Sequence, residues 1–224
     1  MPLTITPSTI VKSVIFGLIP LVLLIGFFLT GYTYIPVEYS IGKCLKDYTN
    51  TTSYQNRTSE LKSSSMHLDD AEILVCYGSP AAKSQNVYGD LIPYDSLWGF
   101  GAYEPTRLYT QQDIVLGEVV VPKGRYSIYA IPGRWKWEVF ISTSTDHWGD
   151  KITDEVKKQE IGSFEVRPQY NHNYVKELTI YPSQKEIIAE WGKTRIVIPV
   201  ENIDPKKDAK HTTILSKFRA SLDK

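Results

Sequence analysis

Apolar and polar positions alternate along this chain in three different regimes. From Val14 to Val37, "VIFGLIPLVLLIGFFLTGYTYIPV", no residue is charged. As a helix rising 1.5 Å per residue the stretch would measure roughly 36 Å, enough to cross a hydrocarbon core of about 30 Å with some tilt. Pro20 and the glycines are tolerated in spanning helices. Tyr32 and Tyr34 stand at one end, where an aromatic belt would lie. The pattern predicts an uncleaved signal-anchor, a transmembrane helix over 14–37 behind a short tail over 1–13. A cleaved signal peptide is the alternative, but the run exceeds an ordinary h-region and no A-x-A-like site follows. Lys12 precedes the run and Lys43 and Lys46 follow it, so charge bias is nearly balanced. We expect the amino terminus inside and the remainder exported, because a short tail is easily left behind.

The second regime is polar. "LKDYTNTTSYQNRTSELKSSSMHL" (45–68) is rich in Ser, Thr, Asn and Gln. It reads as a flexible tether or a long edge segment, and residues 38–69 are taken as that unit. Asn50-Thr51-Thr52 and Asn56-Arg57-Thr58 are glycosylation-type triplets, relevant only in a host that modifies Asn in this way.

The third regime has period two. "EILVCY" (Glu72–Tyr77), "DIVLGEVVVP" (Asp113–Pro122), "RYSIYAIP" (Arg125–Pro132) and "WKWEVFIS" (Trp135–Ser142) follow one another, separated by Gly- and Pro-bearing turns. Tyr126, Ile128 and Ala130 alternate with Ser127, Tyr129 and Ile131, and Trp135, Trp137, Val139 and Ile141 with Lys136, Glu138, Phe140 and Ser142. "SFEVRP", "YVKELTIYP", "KEIIAEW" and "TRIVIPV" extend the series to Val200. Neighbouring antiparallel strands are the economical reading. The expected fold is mainly β, an antiparallel β-sandwich-like domain over 70–204. The last stretch, 205–224, carries six Lys/Arg against two Asp and sets Ile214, Leu215, Phe218 and Leu222 on one helical face. It is expected to be a short basic helix that docks on its own domain or, alternatively, meets a partner or an anionic surface.

Composition narrows the classes. Lys+Arg and Asp+Glu are 25 each, so no basic excess calls for nucleic acid. Fifteen Tyr and five Trp favour strands. The two Cys, Cys44 and Cys76, fit no CxxC or zinc pattern. A bridge between them in an oxidising compartment and two unrelated thiols both fit the sequence.

Several stretches together resemble the bacterial family catalogued as domain of unknown function 2911. They are "YGSP" (Tyr77–Pro80), "YGDLIPY" (Tyr88–Tyr94), "LWGFGAYEPT" (Leu97–Thr106), "VPKGRYSIYAIPG" (Val121–Gly133), "WEVFIS" (Trp137–Ser142), "HWG" (His147–Gly149) and "EWGKTRIVIPV" (Glu190–Val200). The resemblance covers about 70–200 and implies a compact, export-associated β domain. The family pattern reads like "KGRxIFGxLVPYGxVWRTGANEAT". Here Gln85 or Asn86 lies near its first Arg, Gly99 replaces the Arg after Trp, and Tyr103 replaces the Asn before Glu. Glycine supplies no guanidinium fork, so roles resting on those polar groups do not carry over.

Candidate chemistry gathers in two loops. "GDLIPYDSLWGFGAYEPTRLYT" (Gly89–Thr110) is too broken for a helix and too long for a tight turn. Leu91, Ile92, Leu97, Trp98 and Phe100 are enough to anchor it inward, each contributing roughly 1.5–3 kcal/mol if fully buried. Tyr94, Tyr103 and Glu104 are expected to edge a pocket. In "STSTDHWGDK" (Ser142–Lys151), His147 and Trp148 either grip a ligand or form a turn packed on the sheet edge. The candidate ligand-binding set is therefore Tyr94, Trp98, Tyr103, Glu104, Arg107, His147 and Trp148. Arg107 and Arg125 are the expected partners of Glu104. The four His are unpaired and no HExxH, GxSxG, P-loop or dinucleotide fingerprint is present, so neither metal nor cofactor is expected.

The leading expectation is a membrane-anchored, extracytoplasmic (periplasmic) binding or accessory module of the bacterial cell envelope. It would contact the bilayer through Val14–Val37 and take an envelope protein or a small polar ligand such as a sugar. One alternative is a small envelope hydrolase using Glu104 with Asp95 or His147. Another is a subunit of a larger membrane complex, with the helix packing through Gly17 and Gly26.

Overall fold

The computed structural model describes Cys44 and residues 57–69, 71–83, 86–203 and 209–222. Among these, no helix is long and apolar enough to cross a membrane. The anchor expected over Val14–Val37 lies outside the described residues, as do both glycosylation-type Asn and Gln85.

Among the described residues ten strands form two antiparallel sheets. The chain runs β1 (Glu60–Leu68), β2 (Ala71–Ser79), β3 (Thr106–Thr110), β4 (Ile114–Leu116), β5 (Val119–Val121), β6 (Gly124–Pro132) and β7 (Trp137–Ser142). It continues with a single helical turn α1 (Asp154–Lys157), β8 (Glu160–Val166), β9 (Gln169–Ser183), β10 (Glu186–Asn202) and α2 (Ala209–Leu222). The six-stranded sheet has the order β1-β2-β3-β6-β7-β8 and the four-stranded sheet β5-β4-β10-β9. The sheets approach along both margins. β9 reaches the end of β2 through an antiparallel bridge between Ala81 and Glu177, and Gly162 of β8 lies against the Val119 side chain of β5.

The period-two patterns sort side chains as expected. Tyr126, Ile128 and Ala130 face inward with Trp137, Val139, Ile141 and, across the core, Ile196, Ile198 and Val200. Trp135, the first member of its predicted alternation, stands instead in the β6–β7 turn and is 81% exposed. The run 113–122 is not one strand. Gly117, at φ 61°, turns the chain so that β4 folds back on β5 with Ile114 opposite Val121. "KEIIAEW" and "TRIVIPV" form the single strand β10, whose pairing with β9 shifts on both sides of Gly192.

β1 occupies part of the polar stretch 38–69. Of the two readings of its sequence, residues 60–68 take the edge segment: they pair with β2 from Glu60↔Ser79 to Leu68↔Ala71. Ser63 and Ser64 are half-buried and Ser65 is exposed, while Leu61, Met66 and Leu68 are buried. Three anchors in nine residues are too sparse a signal to separate strand from linker.

Cys44 and Cys76 form a disulfide with Cα atoms 5.8 Å apart. It lies on the outward face of β2, fully buried with Leu61 and Leu74 and with Tyr109 packed against it. The outward faces of β6 and β7 are covered too, because residues 143–159 fold back across them. Ser142 donates to the Val156 carbonyl (3.0 Å), and Val156 of α1 is buried. In α2, Leu215 is buried and Phe218 half-buried, while Ile214, expected on the same face, is 42% exposed.

Candidate functional site

The long aromatic loop between β2 and β3 is folded inward. Trp98 exchanges backbone hydrogen bonds with Ala130 (2.8 and 2.9 Å), extending the sheet beside β6 beyond the start of β3. Trp98 then lies nearly parallel to Trp191 (6.0 Å between centroids) and edge-on to Trp137 (5.9 Å), with Phe100 5.1 Å away. Tyr88 meets Trp137 edge-on at 4.6 Å, and burial pushes its phenol well above its ordinary pKa. Such aromatic pairs contribute about 0.5–1.5 kcal/mol beyond area burial. Of the five expected anchors, Trp98 and Phe100 are buried and Ile92 partly so, but Leu91 and Leu97 stay 39% and 41% exposed. Leu91 sits on a turn within the loop, its N–H donating to the Asn86 carbonyl.

The loop holds strained backbone. Asp95, Phe100 and Tyr103 adopt φ of 57°, 56° and 69°, where non-glycine residues are uncommon and bulky ones costly. Asn tolerates this region better than Tyr. The family-pattern Asn at position 103 would therefore be the less strained residue. Tyr103 is held there by other contacts: its ring lies edge-on to Trp148 (6.0 Å) and under the Arg57 guanidinium (5.0 Å). Its hydroxyl accepts from the Thr58 N–H (2.9 Å). Hydrogen bonds with the Thr58 side chain and backbone lower its pKa.

Glu104 is buried and pairs in fork fashion with Arg57, Nη1 to Oε1 at 3.2 Å and Nη2 to Oε2 at 2.5 Å. The side chains are 5% and 8% exposed. Arg57, rather than Arg107 or Arg125, is thus its partner. The sequence hid this because Arg57 lies 47 residues upstream in a polar stretch. Arg107 points to the outer face of β3 and donates twice to the Thr145 carbonyl (3.0 and 2.6 Å). His147 donates from Nδ1 to the Trp148 carbonyl (2.9 Å), leaving Nε2 3.4 Å from Ser127 Oγ. Asp95 is exposed, its N–H donating to the Pro132 carbonyl. No hydrogen bond or ion pair joins any two of Glu104, Asp95 and His147.

Close glycine packing seals this patch. A Cβ on Gly99 would meet the Gly149 carbonyl oxygen at 2.1 Å, so no side chain fits where the family pattern has Arg. The Gly149 N–H donates to the Tyr103 carbonyl (2.7 Å). Tyr103, Glu104, Arg107, His147 and Trp148 therefore belong to a network that locks residues 57–59 and 143–150 onto the sheet.

Tyr94 goes elsewhere. It lines a cleft of about 520 Å³ with Tyr88, Tyr170, Tyr174, Arg134 and Lys193. Three distant segments build it: the knot 86–94, closed by hydrogen bonds such as Ile92 N–H to the Val87 carbonyl, the β6–β7 turn, and the irregular end of the β9–β10 hairpin. There Gly192 pairs with Val175 and Thr194 with Tyr170, so β9 uses five steps where β10 uses two. The surplus residues bulge and carry Tyr170 and Tyr174 outward, 68% and 42% exposed. Gly192 has φ 60°, and a Cβ there would meet Val87 at 2.8 Å. Of the expected ligand residues only Tyr94 lines this cleft. Trp98 instead floors a smaller hollow of about 330 Å³ beside Leu91 and Trp191. The missed signal was "QYNHNY" (169–174), a polar-aromatic insert between two strand patterns.

Among the described residues no three His, Cys, Asp or Glu side chains converge as a metal site requires. The family model described as "Protein of unknown function (DUF2911)" matches residues 59–200. The match begins at the head of β1, earlier than the residue 70 expected from the motifs. No curated protein and no solved structure matches the chain.

Proposed function

We propose that this chain, which belongs to the DUF2911 family, is a membrane-anchored binding module facing an extracytoplasmic space. The observation that carries the reading is the tyrosine cleft. Four rings, Tyr88, Tyr94, Tyr170 and Tyr174, surround a volume of about 520 Å³, within the range of small-ligand sites. Flat aromatic faces edged by hydroxyls and amides suit a ligand with both apolar faces and polar rims, and a saccharide is such a ligand.

The disulfide supports the compartment, since such bonds persist in oxidising spaces. It also sets the leash. With Val14–Val37 in lipid, six residues of chain separate Val37 from the bridged Cys44, no more than about 25 Å fully extended from one to the other. The module would work close to the envelope surface it is tied to.

The test is saturation-transfer NMR of the full-length purified chain against a panel of neutral and acidic saccharides, beside a Tyr94→Ala/Tyr170→Ala variant. Truncating aromatic anchors typically costs 2 kcal/mol or more, roughly thirtyfold in affinity. Binding should fall by about that factor in the variant at unchanged melting temperature. A panel in which nothing binds the wild-type chain would end this reading.

A further inference from the structure

We infer that the ligand of the tyrosine cleft is an anionic saccharide, a sugar ring bearing a carboxylate or phosphate; the inference rests on the cleft being a binding site. Two of its rings carry cations. Arg134 Cζ lies 5.5 Å from the Tyr94 centroid, and Lys193 Nζ lies 5.7 Å from that of Tyr170. Each positive group is thereby held beside an aromatic face of the cleft.

Neither cation is neutralised. Among the described residues no ion pair includes Arg134 or Lys193, although Lys62 and Lys136 meet Glu177 and Glu165. Lys193 uses one of its three donors on the His172 carbonyl (2.5 Å). The Arg134 fork is spent on no protein acceptor among the described residues, and its planar donor pair matches a carboxylate or a phosphate. Asp90 lines the same cleft, and no ion pair joins it to either cation. It is placed to accept from sugar hydroxyls. Two cations against one acid leave the lining with a net positive charge, which selects for an anion. The rings select for a flat partner, which inorganic anions are not.

The experiment is calorimetric titration of the full-length chain with digalacturonate, neutral galactobiose, galactose 6-phosphate, galactose and inorganic phosphate. At least one acidic sugar should bind about tenfold or more tighter than its neutral counterpart, a preference that shrinks with added salt. Whichever acidic sugar binds tighter identifies carboxylate or phosphate as the recognised group. Arg134→Gln with Lys193→Gln should bring the acidic sugar down to the neutral one, with unchanged thermal unfolding. Neutral and acidic sugars binding equally would overturn this inference and leave the binding-module reading standing. Inorganic phosphate binding as tightly as galactose 6-phosphate would overturn it as well, because the rings would then play no part. If no sugar binds at all, the inference and the reading beneath it both fall.

Discussion

Removing the Cys44–Cys76 bridge should lower the stability of the β domain by about 4 kcal/mol. The two residues are 32 apart in sequence. Closing a loop of that length removes about 12 cal/mol/K of chain entropy from the unfolded state, or about 4 kcal/mol at room temperature. The cleanest perturbation is Cys44→Ala with Cys76→Ala. Both positions are fully buried, so serine would add the cost of an unpaired hydroxyl. With an m-value of about 2 kcal/mol/M, the urea midpoint should fall by about 2 M. In a thermal scan the loss corresponds to about 10 °C. Buried Trp98, Trp137 and Trp191 provide the fluorescence signal, and the wild-type chain in reductant should reproduce the variant. Alkylation with intact-mass analysis, without reductant, should find no free thiol. Equal midpoints for variant and oxidised wild type, or alkylation of both cysteines before reduction, would refute the reasoning.

Glu104→Gln should destabilise the domain by about 3 kcal/mol, because it removes one charge of the buried, fork-bonded Arg57–Glu104 pair. Ligand affinity at the tyrosine cleft should not move, which calorimetry on the folded variant checks. Gly99→Ala should cost about 2 kcal/mol or more, since its methyl and the Gly149 carbonyl cannot share one place. Its signature in hydrogen exchange is lost protection at the Gly149 N–H, which donates to the Tyr103 carbonyl. Burial raises the folded-state pKa values of Tyr88, Tyr126 and Tyr129 above the unfolded value of 10.0, with Glu160 adding to the shift at Tyr129. The folded state therefore holds these protons longer, and the associated stability is whole below pH 10 and is lost as pH rises above it. Tyrosinate absorbance should show these three titrating only together with unfolding, and normal titration in the folded domain would contradict their burial.

The strands that were legible from residues alone share one property. β6 and β7 bury one continuous face, so Tyr126, Ile128, Ala130 and Trp137, Val139, Ile141 write a period of two directly into the chain. β1 is an edge strand in which Ser63 and Ser64 are half-buried and Ser65 is exposed, and its pattern blurred into that of a linker. β3 was hidden for another reason: its outward Arg107 is 4% exposed because residues 143–150 cover it. A polar residue whose burial depends on a distant loop has no local signature.

What the sequence by itself determined is the class of the domain, its alternating faces, the family likeness and the inward pull of Trp98 and Phe100, all properties of short windows. Only the tertiary structure decided which of the polar and aromatic groups meet. Arg57 finds Glu104 and Cys44 finds Cys76 across the fold, while Tyr94, Arg134, Tyr170 and Lys193 come from three segments that touch only once both sheets have closed. Local sterics and hydrophobic periodicity act over a few residues, whereas a cleft and an ion pair are set by where the whole backbone brings separate segments together.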